Sequence, residues 1–288
     1  MKEFNYLGRP DGIGNRIEEI INVNAYCHKN DMAANYVWIN KHINRKYEVL
    51  ISSENLNITR ETIENVEYKT IADLPKISEA ITQQEVLNAA QNIKPIFEIF
   101  FEDSKKPIGV HIRGTDRIRN NNHPHFMKNK GELFDYMSKT ISLLNEKKPE
   151  NVYVCTDDKK YYSEFIKKLD SSINVVTPIC ENEIPLEYKD FFALSQCEEI
   201  YMCSKFSTFA LTASLIGNVP LVSFFFDEEV AKRYKVLFRY ETDFTNIDRL
   251  TFENKNFSDY LNIHDQYVKL RLLITKGIGV VSRIVHKS

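Results

Sequence analysis

Between residues 132 and 226 the chain alternates helix-spaced segments with short apolar runs, and this alternation restricts what it can fold into more than any other feature. Residues 132–144 set Leu133, Phe134, Met137, Ile141 and Leu144 on one helical stripe. The segments 161–169, 188–197 and 207–216 also read as helices, the last closed by Gly217-Asn218. Between them lie strand runs at 151–155, 173–176, 199–203 and 219–226. Such an order implies an α/β fold, with a parallel sheet covered by helices on both faces. The first hundred residues are similar in kind: strands at 4–7, 36–39 and 47–51, a helix at 15–27, and a longer helix at 83–101. The polar, proline-ended stretch 103–107 is the expected boundary, giving an N-terminal domain at 1–105, a second at 106–265 and a tail at 266–288.

Composition excludes several classes. No apolar run approaches the ~20 residues of a membrane-spanning helix, and the N-terminus has no signal-peptide core. The net charge of -2 argues against a nucleic-acid partner. Cys27, Cys155, Cys180, Cys197 and Cys203 are odd in number and form no Cys-x-x-Cys pair, which fits buried free thiols in a reducing cytoplasm. The segment 267–288 carries Lys269, Arg271, Lys276, Arg283 and Lys287 among aliphatic residues and no acid. Such a tail suits peripheral contact with an anionic membrane face, and equally a terminal helix packed across a domain interface with its lysines reaching water.

Four turns carry the polar chemistry. Gly8-Arg9-Pro10-Asp11-Gly12-Ile13-Gly14-Asn15-Arg16 joins a strand to a helix, where glycines admit a ligand close to the backbone and the helix start offers free N–H groups. Neither a P-loop nor a dinucleotide fingerprint is present, because no Gly-Lys-Ser/Thr follows and Ile17 stands where the third glycine belongs. Val110-His111-Ile112-Arg113-Gly114-Thr115-Asp116-Arg117 leaves a strand, and the Arg113 fork matches phosphate oxygens. Ser204-Lys205-Phe206-Ser207-Thr208-Phe209 opens a helix, with Ser207 or Thr208 as N-cap or as anion contact. Thr156-Asp157-Asp158 ends another strand, placed to hold a ribose, a basic side chain or a metal. Asp190 lies early in an apolar helix, and His123-Pro124-His125 is either an acid/base element or a polar loop. Trp38, in an apolar run, reads as core.

In this order the segments resemble the GDP-fucose-dependent fucosyltransferase superfamily, over most of the chain from Gly12 to about Pro220. Gly12-Ile13-Gly14-Asn15-Arg16 is similar to its N-terminal Gly-x-Gly-Asn/Cys-Gln/Arg turn, and Val110 to Arg117 resembles its His-x-Arg-Arg-Thr-Asp-Lys motif. Val152-Tyr153-Val154-Cys155-Thr156-Asp157-Asp158 resembles its Val-Tyr-x-Ala-Thr-Asp-Asp run, and Asp190 to Ser195 with Phe206 to Phe209 resembles its late segments. The resemblance implies a GT-B fold: two Rossmann-like domains facing a cleft. It implies His111 and Asp190 at the guanine and Ser207, Thr208 and Phe209 at the diphosphate. Arg113 would grip the β-phosphate, while Gly14 and Asn15 close over the donor from the other domain, with Gly12 also among the substrate-binding residues. Arg117, Asp157 and Asp158 complete the implied substrate set. Two positions depart from the pattern: Gly114 replaces the second arginine, and Asn121 stands where the α1,6 enzymes place a glutamate base.

The expected reaction is metal-free, inverting transfer of L-fucose from GDP-fucose to a glycan or lipid-linked glycan acceptor, such as a bacterial surface polysaccharide precursor. No cofactor is expected. Arg113 stabilises the leaving group, and Asp116, Asp11 or His125 takes the acceptor proton, Asp116 first because it belongs to the motif. The alternatives are another GDP-sugar donor such as a heptose, a nucleotide-sugar sensor without turnover, and a phosphohydrolase with a metal on Asp157 and Asp158.

Overall fold

The computed structural model describes residues 2–39, 48–53, 56–103, 105–114, 118, 127, 130–180, 183–225 and 238–240. The chain begins with β1 (Lys2–Leu7), α1 (Ile13–Lys29), β2 (Met32–Val37), β3 (Ile51–Ser53) and β4 (Leu56–Thr59). It continues with α2 (Leu74–Glu79), α3 (Gln83–Gln91), β5 (Ile93–Pro95) and β6 (Ile99–Phe100). Then follow β7 (Ile108–Ile112), α4 (Lys130–Lys147), β8 (Asn151–Thr156), α5 (Lys159–Ile166), β9 (Asn174–Val175) and β10 (Ile179–Cys180). The last elements are α6 (Leu186–Ser195), β11 (Ile200–Cys203), α7 (Thr208–Gly217), β12 (Leu221–Ser223) and β13 (Phe238–Tyr240).

Strands β1, β2 and β4 form one parallel sheet, in the order β1-β2-β4. A second, fully parallel sheet has the order β13-β12-β11-β7-β8-β9. The pleat sorts its side chains cleanly. Tyr153, Cys155, Ile200, Met202 and Leu221 belong to the apolar cluster that also holds α6 and α7 residues. Val110, Ile112, Val152, Val154, Tyr201, Cys203 and Val222 point the other way, into a cluster with Leu133, Met137 and Ile141 of α4 and Phe165 of α5. The first cluster extends without a break into α1, β1 and β2, so one contiguous apolar core joins the two sheets.

Two elements are shorter than their sequence spacing suggests. The helix expected to reach Phe101 stops at Gln91. Pro95 disfavours helical backbone at Lys94, and Ile93, Lys94 and Pro95 pair instead with Ser53, Ser52 and Ile51. The strand expected over 219–226 is confined to Leu221–Ser223. At the end of α7 the left-handed residue is Asn218 (φ 50). Gly217 serves packing instead, since a Cβ there would lie 2.0 Å from the Ser195 carbonyl oxygen. The strands expected at 36–39 and 47–51 are shifted, to Met32–Val37 and Ile51–Ser53.

Cys27, Cys155, Cys197 and Cys203 are buried free thiols and Cys180 is partly exposed. Burial pushes Cys27 and Cys203 up to about 12, which makes them poor nucleophiles. Among the described residues no helix is long and apolar enough to cross a membrane. The basic tail at 266–288 lies outside the described residues.

Candidate functional site

In the six-stranded sheet the chain leaves β7 through α4 toward β8 on one side, and leaves β11 through α7 toward β12 on the other. The carboxyl ends of the adjacent β7 and β11 therefore flank a topological switch point, where open α/β sheets form their ligand crevice. His111 and Arg113 lie at the end of β7, and Ser204 to Ser207 follow β11.

These segments are in direct contact. The His111 ring, 3% exposed, stacks on Phe209 with centroids 5.3 Å apart. Phe209 also meets Phe191 of α6 edge-on at 5.2 Å. Arg113 Nε lies 3.5 Å from Asp157 Oδ2, and the Gly114 N–H donates to Asp157 Oδ1 at 3.3 Å. The loops after β7 and β8 are thus tied together, and the guanidinium is aimed by a carboxylate. Asp158 turns elsewhere: it is the N-cap of α5 and accepts from the Lys160 N–H at 2.8 Å. Asp157 and Asp158 therefore do not converge as a ligand pair, and among the described residues no group of three His, Cys, Asp or Glu is arranged for a metal.

Ser207 occupies the N-cap position of α7, but its hydroxyl makes no capping bond and no acid lies in the first turn. This end of the helix keeps its positive dipole without side-chain compensation. The start of α1 packs against it. A Cβ on Gly14 would lie 2.6 Å from both Cα and N of Phe209, and the Thr212 hydroxyl reaches the Gly14 carbonyl at 3.4 Å. Gly12 is the N-cap of α1 and has open space around it. Asp11 accepts from the Gly12 N–H at 2.8 Å and from Asn15 Nδ2 at 2.6 Å. Asn15 thus gives one of its two Nδ2 hydrogens to its own turn. Ser207 and Thr208 are buried at 2% and 4% exposure. The glycine turn, β7 end, β8 end and α7 start form one connected site; Asp116, Arg117, Asn121, His123 and His125 lie outside the described residues.

A charged cluster beneath the glycine turn is not evident from the motifs. Arg9 reaches Glu18 at 3.0 Å and Glu19 at 3.1 Å, and both glutamates are buried. Glu19 also accepts from the Arg9 N–H at 3.2 Å and the Tyr36 hydroxyl at 2.8 Å. Arg16, 1% exposed, lays its guanidinium 4.6 Å over the Trp38 ring and donates through Nε to the Asp11 carbonyl at 2.7 Å. Trp38 is core, as its neighbours imply. The available signal was two consecutive glutamates in a helix whose Ile13, Ile17, Ile20 and Ile21 are otherwise apolar.

Burial raises the Glu19 carboxyl from 4.5 to about 7, opposed by Arg9 and Tyr36. The folded state thus holds this proton more tightly than the unfolded chain. The resulting stability is fully present below the unfolded value and is lost as pH rises through about 7. The window is worth on the order of 3 kcal/mol. Glu19→Gln is expected to flatten the fall in Tm between about pH 5 and pH 8, and an equal fall in both proteins would remove Glu19 as its source.

No protein-family model matches the chain, and no curated protein matches it in sequence. Solved structures do match in fold. The NodZ alpha-1,6-fucosyltransferase co-crystallised with GDP aligns with a TM-score of 0.52 at 12% identity, over 78% of this chain and 96% of that one. A structure of fucosyltransferase NodZ from Bradyrhizobium aligns with a TM-score of 0.50 at 12% identity, over 78% and 96%. The architecture is therefore α/β, of the GT-B-like type those enzymes share.

Proposed function

We propose that this chain is a glycosyltransferase that moves L-fucose from GDP-fucose to a hydroxyl of a glycan acceptor, with inversion and without a metal. The observation that carries the reading is the meeting at the switch point of Arg113, the uncapped start of α7 and the close-packed glycine turn. That convergence supplies fixed positive charge where a diphosphate would sit. The GDP bound by the NodZ structure of the same fold supports a guanine nucleotide as the occupant.

In this reading the sugar–phosphate bond breaks through an oxocarbenium-like state, and negative charge grows on the leaving diphosphate. Arg113, oriented by Asp157, and the first N–H groups of α7 stabilise that charge without reorganising. Asp190 and His111 face the guanine side, with His111 backed by Phe209. The acceptor proton goes to Asp116 or Asp11. Asp11 is half-exposed and accepts hydrogen bonds from the Gly12 N–H and Asn15 Nδ2, while Asp116 belongs to the motif that carries Arg113. The acceptor is a glycan or lipid-linked precursor, and the basic tail would hold the enzyme near an anionic membrane face on the cytoplasmic side.

Calorimetric titration of GDP, UDP and CMP in EDTA tests the reading. Selective, metal-free GDP binding is expected, together with slow release of GDP from GDP-fucose. Equal affinity for the three nucleotides, or binding that returns only with a divalent ion, would discard it. GDP binding with neither hydrolysis nor transfer would leave a sensor, and faster turnover of GDP-heptose would change the donor.

A further inference from the structure

The face of the site covered by α6 contains a contact that the motifs do not explain. The Tyr153 hydroxyl donates to Asp190 Oδ1 at 2.6 Å. Tyr153 lies on β8, on the face of the sheet that α6 and α7 cover, and is 4% exposed. Asp190 lies in the second turn of α6, whose N-terminal end lies toward the carboxyl edge of the sheet because the helix runs back to start β11. Phe191, the next residue, reaches Phe209 and so the His111 stack. A half-buried carboxylate therefore stands beside the ring pair, with one oxygen held from behind by a phenol.

We propose that Tyr153 is a positioning residue that sets nucleobase specificity by fixing the Asp190 carboxylate to accept the paired N1–H and 2-amino donors of guanine. This rests on the guanine-nucleotide reading above. Uracil and cytosine present no such pair of donors, and hypoxanthine keeps N1–H but lacks the amino group. An unsupported carboxylate could rotate and accept from either type of base. The hydrogen bond costs Asp190 none of its capacity toward guanine, because Oδ2 and a second lone pair on Oδ1 remain.

The charge of Asp190 is supported by the same contact. Burial pushes its carboxyl up to about 6, and the Tyr153 hydroxyl works against that rise by donating to the ionised form. Tyr153 and Cys155 reach it from β8, and Glu187 and Lys189 belong to α6 itself. On β7, His111 lies opposite Cys155. The described α7 and β6 carry no titratable side chain, and Arg16, Glu18 and Glu19 of α1 are engaged with Trp38 and Arg9. Guanine binding needs the ionised carboxylate, so affinity falls as pH drops through this value.

The test compares GDP and IDP affinities across pH for wild type, Tyr153→Phe, Asp190→Asn and the double variant. Wild type is expected to prefer GDP. Tyr153→Phe is expected to weaken GDP binding roughly tenfold, as for a hydrogen bond to a charged group. It should also shrink the GDP-to-IDP ratio and move the acid limb of binding to higher pH. In the Asp190→Asn background the tyrosine change should add little, because its effect passes through the carboxylate. An unchanged ratio and acid limb in Tyr153→Phe, with wild type still preferring GDP, would overturn the role of Tyr153 and leave the nucleotide reading intact. Additive effects in the double variant would overturn it too, and they can be read even if Tyr153→Phe is less stable. No preference of wild type for GDP over UDP and CMP would instead remove the nucleotide reading and this proposal with it.

Discussion

Arg113→Ala is expected to lower the release of GDP from GDP-fucose by a hundredfold or more, with the fold intact. The size follows from the charge involved: single preorganised donors to a developing anion are worth about 10²–10³ in rate. Here the loss is compounded, because the Asp157 carboxylate 3.5 Å away remains beside the leaving diphosphate once the guanidinium is gone. The side chain is partly exposed, so its removal creates no sizeable cavity and Tm should barely move. Arg113→Lys should recover only part of the rate, since a point charge lacks the planar fork that meets two oxygens. The assay is GDP release under single-turnover conditions, beside GDP affinity by calorimetry. A rate within threefold of wild type would exclude Arg113 from leaving-group stabilisation.

Gly14→Ala is expected to cost both stability and donor binding, a larger effect than the addition of one methyl group suggests. The new Cβ would lie 2.6 Å from Cα and N of Phe209 and 2.9 Å from the Thr208 carbonyl carbon. Those are backbone atoms, so no rotamer change relieves the clash and the starts of α1 and α7 must separate. Overpacking of this kind costs about 1–3 kcal/mol, a fall in Tm of roughly 3–10 °C for a chain of this size. Separation also breaks the Thr212 contact to the Gly14 carbonyl and re-aims the turn that carries Asp11 and Asn15. Gly12→Ser is the matched control: nothing lies within 4 Å of its Cβ, and serine is a good N-cap. Thermal melts of the two variants decide the matter, and equal Tm values would mean that the helix starts do not meet as described.

Much of the second half was legible in the sequence because its strands are buried on both faces and its helices on one. Apolar runs such as 151–155 and 199–203 state their burial directly. The helix expected at 83–101 failed because a local stripe competes with a proline, and the proline decided. At Ser207 the sequence located the N-cap but not its chemistry, since a serine that caps and one that does not look alike in the sequence. Asp157 and Asp158 read as a pair, yet one aims Arg113 and the other caps α5, because adjacent residues at a strand end point in different directions.

The sequence by itself determined the parallel α/β order, the turns that end the strands, the presence of Arg113 and the glycine turn at those ends, and Asp190 early in an apolar helix. Period and local turn chemistry are short-range properties, written within a few residues. Only the tertiary structure decided that β7 and β11 are neighbours, that Gly14 touches Phe209, that Tyr153 supports Asp190 and that Glu18 and Glu19 are buried on Arg9. These contacts join residues far apart in the chain, or bury charge only because a third element covers it. Their free energy depends on packing and dielectric environment, which no local pattern encodes.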